Sequence, residues 1–207
     1  MIRLERDGAI WTVTLDRPEK ANALTGEMLA RLAGIAEEAI TDAGLRALIL
    51  TGGEAKVFSA GADLDEARAG LATSPLWEDV SGRIAALPCL TIAALNGTLA
   101  GGAFGMALAC DLRIAVPEAR FFYPVAKLGF LPQASDPGRL RALIGPARTK
   151  LLLLAGQKFT ADEAYAFGLI DRIVAPEHLM DAARDLAADS AAGELNVLRG
   201  IKALCEG

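Results

Sequence analysis

Two short glycine-containing segments hold the residues of this chain best suited to chemistry: Phe58-Ser59-Ala60-Gly61-Ala62-Asp63-Leu64 and Asn96-Gly97-Thr98-Leu99-Ala100-Gly101-Gly102-Ala103-Phe104-Gly105. Small side chains let a ligand approach the main chain closely. A helix starting at Gly101 or Gly102 aims unpaired N–H groups and a positive dipole end at whatever lies before it. Such donors suit an oxygen that gains negative charge during a reaction. Taken alone, glycine at a strand-to-helix turn more often marks turn geometry or close packing, so these segments need a wider frame before they carry a function. Side-chain nucleophiles have little support. The one histidine, His178, falls beside Pro176 and Glu177 at the start of a predicted helix, and no G-x-S-x-G elbow surrounds Ser59, which argues against a Ser-His-Asp hydrolase. Cys89, Cys110 and Cys205 are far apart and outside any C-x-x-C pair; they read as buried free thiols, with no disulfide framework and no metal site.

The elements around these segments alternate. Ile2 to Leu15 interleaves apolar and polar residues around Asp7-Gly8, the pattern of a hairpin. From Thr25, the residues Met28, Leu29, Leu32, Ile35, Ala36, Ala39 and Ile40 recur at helical spacing, opposite Glu27, Arg31, Glu37 and Glu38. Ala47 to Thr51 is a short apolar run closed by Gly52-Gly53, as expected of a strand buried on both faces. The rhythm returns with a helix near Leu76 to Ala86, a strand from Leu90 to Leu95, a helix through Gly102 to Ala109 and a strand from Leu112 to Val116. Alternating strands and helices imply right-handed crossovers and an α/β core with parallel strands. After Pro132 the pattern is mostly helical. Thr160-Ala161-Asp162-Glu163 matches a capping box, and a later helix runs from about His178 to Ala192. Trp11 and Trp77 are read as core or pocket-wall aromatics.

A chain of 207 residues, 53% hydrophobic, is long enough for one main folding unit with a sizeable core. A net charge of -5 argues against a nucleic-acid partner, which would call for a basic stripe. An anionic ligand would instead be held by local main-chain amides and a few Lys or Arg side chains. The charged start, Met1-Ile2-Arg3-Leu4-Glu5-Arg6-Asp7, leaves no room for a secretory signal, and no aliphatic run approaches the roughly 20 residues that cross a bilayer. A cytoplasmic protein without a membrane segment is expected.

The order of motifs resembles that of the enoyl-CoA hydratase/isomerase (crotonase) family. The matching pieces are Leu15-Asp16-Arg17-Pro18-Glu19-Lys20-Ala21-Asn22-Ala23-Leu24, the two glycine segments with Cys110-Asp111 after the second, Leu154-Ala155-Gly156, Ala161-Asp162-Glu163-Ala164 and Gly168-Leu169-Ile170-Asp171. The resemblance implies a repeated ββα core over residues 1–175 and a short helical segment over 176–207. It also implies assembly as a homotrimer or dimer of trimers, and an acyl-CoA thioester as substrate, with coenzyme A part of the substrate and no separate cofactor. Carried over by position, the N–H groups of Ala62 and Gly102 would polarise the thioester carbonyl. Lys20, Ala21, Ala23 and Leu24, with Ala60, Gly61, Asp63, Leu64 and Gly101, would line the nucleotide and pantetheine path. Relatives usually continue through further C-terminal helices that cover the ligand and lock subunits together, so both features are expected to be less complete here.

Gly105 and Val125 stand where hydratases resembling this chain carry two glutamates, and Val125 also replaces the usual isomerase base. Glycine and valine cannot carry a proton, so ordinary hydration is not expected. Two main-chain donors could still stabilise a thioester enolate or tetrahedral oxyanion, the intermediates of a lyase, isomerase, decarboxylase or hydrolase such as serve fatty acid metabolism. Asp136, in Pro132-Gln133-Ala134-Ser135-Asp136-Pro137-Gly138-Arg139, is the replacement base considered, oriented by Tyr123 or Arg139; the other reading is a helix cap before Pro137. Asp65 and Glu66 read as solvated helix residues near the pocket rim. The alternative function is a noncatalytic acyl-CoA-binding or assembly subunit.

Overall fold

The computed structural model describes residues 1–206. Strands β1 (Ile2–Asp7) and β2 (Ile10–Leu15) form the antiparallel hairpin, with Asp7 opposite Ile10 across the turn. Helix α1 (Gly26–Thr41) starts at an N-cap, Thr25, whose side chain accepts from Met28 N, and it buries Met28, Leu29, Leu32, Ile35, Ala36 and Ala39. Strand β3 (Ala47–Thr51) is buried throughout, which explains its unbroken apolar run. It is followed by β4 (Val57–Ser59), α2 (Leu64–Arg68) and α3 (Leu76–Ala85). Next come β5 (Leu90–Leu95), β6 (Thr98–Ala100), a 3-10 turn (Gly101–Ala103) and α4 (Phe104–Ala109). A third round gives β7 (Leu112–Ala115), β8 (Arg120–Phe122), α5 (Val125–Leu128) and α6 (Asp136–Leu153). The chain closes with β9 (Phe159–Thr160), α7 (Ala161–Phe167), β10 (Arg172–Ile173), α8 (Leu179–Ala192) and α9 (Leu195–Glu206).

The strands form two sheets, one in the order β1-β2-β3-β5-β7-β10 and a smaller one in the order β4-β6-β8-β9. In each round one strand enters the large sheet and the next enters the small one: β3 then β4, β5 then β6, β7 then β8. This is the repeated ββα core. From β2 to β10 the large sheet is parallel, as are β4, β6 and β8 in the small sheet. Ligands of open parallel sheets bind beyond the carboxyl ends of the strands. Beyond those ends of the three short strands lie residues 60–63, 101–103 and 123–125, so the small sheet presents three consecutive segments to one place.

Helix α3 packs against α1 and α4, while α8 packs its buried Leu179, Ala183 and Ala187 onto β3, β5 and β7. The capping box at Thr160 and Glu163 is present. Expectation and structure part at several points. The expected helix from Gly102 to Ala109 is divided between a 3-10 turn, entered at Gly101 with φ 56°, and a shorter helix from Phe104. Helix α6 breaks at Gly145, with φ 76°, before Pro146. Cys89 and Cys110 are buried, with thiols pushed up to about 11 and about 12 by desolvation, whereas Cys205 is exposed, since α9 leaves one side uncovered. His178 is exposed at the start of α8. Among the described residues, no helix is long and apolar enough to cross a membrane and no cluster of metal-binding side chains occurs.

Candidate active site

The segment from Arg17 to Leu24 is a clamp. Ala21 and Asn22 both adopt left-handed backbone, φ 51° and 52°, which is costly for alanine and easier for asparagine. Asn22 is fully buried; its Nδ2 donates to Gly52 O and Val57 O, and its Oδ1 accepts from Arg17 N. Ser59 Oγ donates to Asn22 O at 2.8 Å, and Ala60 N donates to Ala21 O at 3.0 Å. Arg17 Nη1 donates to Asp63 Oδ2 at 2.8 Å and to Ala23 O at 3.0 Å. The arginine bond, with Asp63's role as N-cap of α2, holds the Asp63 carboxyl below the usual range. These contacts fix residues 58–63 against the loop before α1.

Their pattern orients Ala62. Leu24 N donates to Gly61 O at 2.7 Å and Asp63 N to Leu24 O at 2.8 Å, which pairs Leu24 with Ala62 in a parallel bridge. In such a bridge the residue between the two bonds turns its own N–H and C=O to the other side. Ala62 N is therefore directed away from Leu24, and it donates to none of the acceptors that hold its neighbours. On that side lies the second glycine segment. A Cβ on Gly61, whose φ is 91°, would meet Ala100 O at 3.0 Å and Gly102 N at 3.4 Å, so only glycine allows this approach. Gly102 is the second residue of its 3-10 turn, too early in the turn for its N–H to have an acceptor within it. Behind it stands Trp77: a Cβ on Gly102 would touch the indole at 3.2 Å, and the indole N–H is fixed by Leu71 O at 2.8 Å.

Ala62 and Gly102 both line a cavity of about 540 Å³, together with Ala60, Leu64 and Gly101. The other residues expected on the ligand path, Lys20, Ala21, Ala23, Leu24, Gly61 and Asp63, do not line it; they form the clamp and shelf behind, with Lys20 exposed. Asp65 is exposed, and Glu66 Oε2 accepts from Gly26 N at 2.7 Å, supporting the start of α1.

The opposite wall comes from β8 onward: Phe122, Tyr123, Val125, Leu128 and residues 129–134. Asp136 is not on it. The structure buries this residue completely behind Tyr123, whose hydroxyl donates to Asp136 Oδ2 at 2.9 Å. Burial pushes the Asp136 carboxyl up to about 7, although the Tyr123 bond pulls it down. Nor does Asp136 cap α6. The helix begins at Asp136 itself, its N-cap is Ser135, and no side chain bonds to the exposed amides. Of the two orienting partners considered, Tyr123 makes the bond, while Arg139 keeps one buried guanidinium nitrogen without an acceptor.

Two residues passed over in the sequence are prominent here. Gln133 lines the cavity and donates from Nε2 to Gly102 O at 2.7 Å. Its amide fills the space beside Gly105: a Cβ there would lie 2.9 Å from Gln133 Cδ and 3.0 Å from Nε2, with Oε1 closer still. Only a residue without a side chain at 105 leaves room for it. Glu78, on α3, also lines the cavity, and its Oε2 accepts from Ser135 N at 3.3 Å. A helical carboxylate in Trp77-Glu78-Asp79 reads as solvent-facing, and nothing in its spacing marks it.

The family model for enoyl-CoA hydratase/isomerase matches residues 5–206. The chain is 42% identical to the Bacillus subtilis protein YngF over 182 residues, covering 85% of this chain and 70% of that protein. It is 36% identical to the short-chain-enoyl-CoA hydratase of Clostridium acetobutylicum, covering 89% of this chain and 72% of the relative. Among solved structures, an enoyl-CoA hydratase from Bacillus anthracis superimposes with a TM-score of 0.93 at 31% identity, covering all of this chain and 82% of that one. A match along nearly the whole chain, on the same two-sheet core, means that the protein belongs to the enoyl-CoA hydratase/isomerase family, whose fold binds acyl-CoA thioesters.

Proposed function

We propose that the protein binds an acyl-CoA thioester with its carbonyl oxygen against the main-chain N–H groups of Ala62 and Gly102, and that it acts through a thioester enolate or tetrahedral oxyanion. The single observation that carries this reading is the meeting of two clamped loops at one cavity, each bringing an amide with no acceptor of its own. Each such donor is worth about 2.7–4 kcal/mol of transition-state stabilisation. In this reading coenzyme A runs past Ala60, Leu64 and Gly101 and along the half-exposed Ala21 and Asp63, Lys20 meets a phosphate, and the buried Ala23, Leu24 and Gly61 support that path from behind. Hydration of a conjugated double bond lacks its acids, because Gly105 and Val125 occupy the places of the two hydratase glutamates. The reaction is then a lyase, isomerase, decarboxylase or hydrolase step.

Calorimetry with coenzyme A thioesters, followed by turnover of an acyl-CoA panel, tests the proposal. Binding and turnover of at least one member are expected, with hydration of crotonyl-CoA near background. Tight binding without any turnover would favour a noncatalytic acyl-CoA-binding subunit, a reading to which the Gln133 amide packed beside Gly105 lends some weight. A homotrimer or dimer of trimers in the cytoplasm is the setting we propose, and sedimentation tests the assembly.

A further inference from the structure

The cavity has an ionisable side chain that the lost glutamates do not explain. Of its lining residues only Glu78 carries a carboxylate, and Tyr123 is the only other side chain there that can ionise. Glu78 follows Trp77, the residue whose indole lies against the Gly102 α-carbon, so one helical turn both backs an oxyanion donor and brings an acid to the same space. Its carboxylate is held by Ser135 N on the facing loop. That loop is unusual in a second respect. Gln133 Oε1, Ser135 Oγ, Asp136 Oδ1 and Arg139 Nη1 are buried without a partner, and all four fall within one stretch of seven residues. Of these four residues Gln133 lines the cavity together with Glu78.

We infer that Glu78 is the proton carrier of this active site, taking the place of the two absent glutamates from a different helix. The inference rests on the carbonyl position given under Proposed function. In the step, Glu78 removes a proton from the carbon next to the thioester carbonyl. The C–H bond breaks, an O–H bond forms on Glu78, and the electron pair moves onto the carbonyl oxygen, where the Ala62 and Gly102 amides receive the charge. Return of the proton to the same carbon restores the thioester, and the cycle needs no other reactant. Gln133 and Tyr123 act as positioning residues: the first fills the space at Gly105, and the second closes Asp136 off from the cavity.

A saturated thioester in heavy water reads this step without knowledge of the full reaction. Butyryl-CoA incubated with the wild-type protein is expected to gain deuterium at the carbon beside the carbonyl, followed by NMR or mass spectrometry. Glu78→Gln keeps an acceptor for Ser135 N and is expected to bind butyryl-CoA as the wild type does while exchanging about 10²–10⁴-fold more slowly. Glu78→Ala with added formate offers a second check, in which partial return of exchange supports a carboxylate acting as base. Wild-type exchange that persists at the same rate in Glu78→Gln would overturn the role of Glu78 and leave the oxyanion reading standing. Binding without any wild-type exchange would overturn the role of Glu78 as base. Absence of thioester binding would remove the oxyanion reading itself.

Discussion

The two walls of the cavity are built on different terms. On the side of Ala60 to Asp63, nearly every polar group is spent: Asn22, Ser59, Arg17 and Asp63 hold one another and the main chain, and the Ala62 amide is left over. On the side of Gln133 to Arg139, four buried polar atoms have no partner and one carboxyl is pushed up to about 7. In the proposed function the first wall offers a fixed N–H, and such a donor gains from complete satisfaction elsewhere because it needs no rearrangement when charge arrives. The wall that would handle protons tolerates loose ends. Gly105 and Val125 belong to the tolerant side, and the clamp between residues 17 and 24 to the rigid one.

Substitutions can break this contrast. The largest effect is expected at Asp136. Its proton is bound more tightly in the folded state, at about 7, than at the ordinary value of 3.8, so its contribution to stability is full below about pH 4, declines as pH rises toward 7, and is gone above that. Asp136→Asn removes the titration. Chemical denaturation should show the variant gaining on the wild type between pH 4 and 8 by about 2–4 kcal/mol, the free energy of such a shift. A difference that does not change with pH would show that the tolerant wall holds no strained carboxyl. Next is Asn22→Ala, which orphans Gly52 O, Val57 O and Arg17 N; at about 1–3 kcal/mol for a buried group left unsatisfied, a loss near the top of that range is expected in urea melts. An effect under about 0.5 kcal/mol would mean that the clamp is not the rigid element described, since that is the size of an ordinary surface change. The smallest effect sharpens the comparison. Gly105→Ala displaces the Gln133 amide and should cost about 1–2 kcal/mol through overpacking and the lost bond to Gly102 O. The same change in a Gln133→Ala background should cost much less, and equal costs would show that the two residues do not share the space.

Much of the fold was legible. Helical spacing from Met28 to Ile40, the buried run from Ala47 to Thr51 and the capping box at Thr160 each encode a local preference that the core reinforces. The small sheet was not, since β4, β6 and β8 have three residues each, too few for an alternation to show. In the site, the glycine segments announced themselves because close approach requires glycine locally. Arg17 and Asp63 are 46 positions apart, and their ion pair exists only once β4 has brought the loops together. Glu78 and Gln133 were missed for the same reason: their meaning comes from what faces them across the cavity. Asp136 drew attention as a carboxylate in a motif, but one layer of side chains separates it from the ligand space, a distinction that sequence does not record.

Most direct for the central claim is a crystal structure of the protein with bound butyryl-CoA. The thioester oxygen is expected about 2.7–3.1 Å from both Ala62 N and Gly102 N, the distance of working oxyanion donors. A thioester bound with its oxygen away from either nitrogen, or either nitrogen donating to another protein atom, would contradict it.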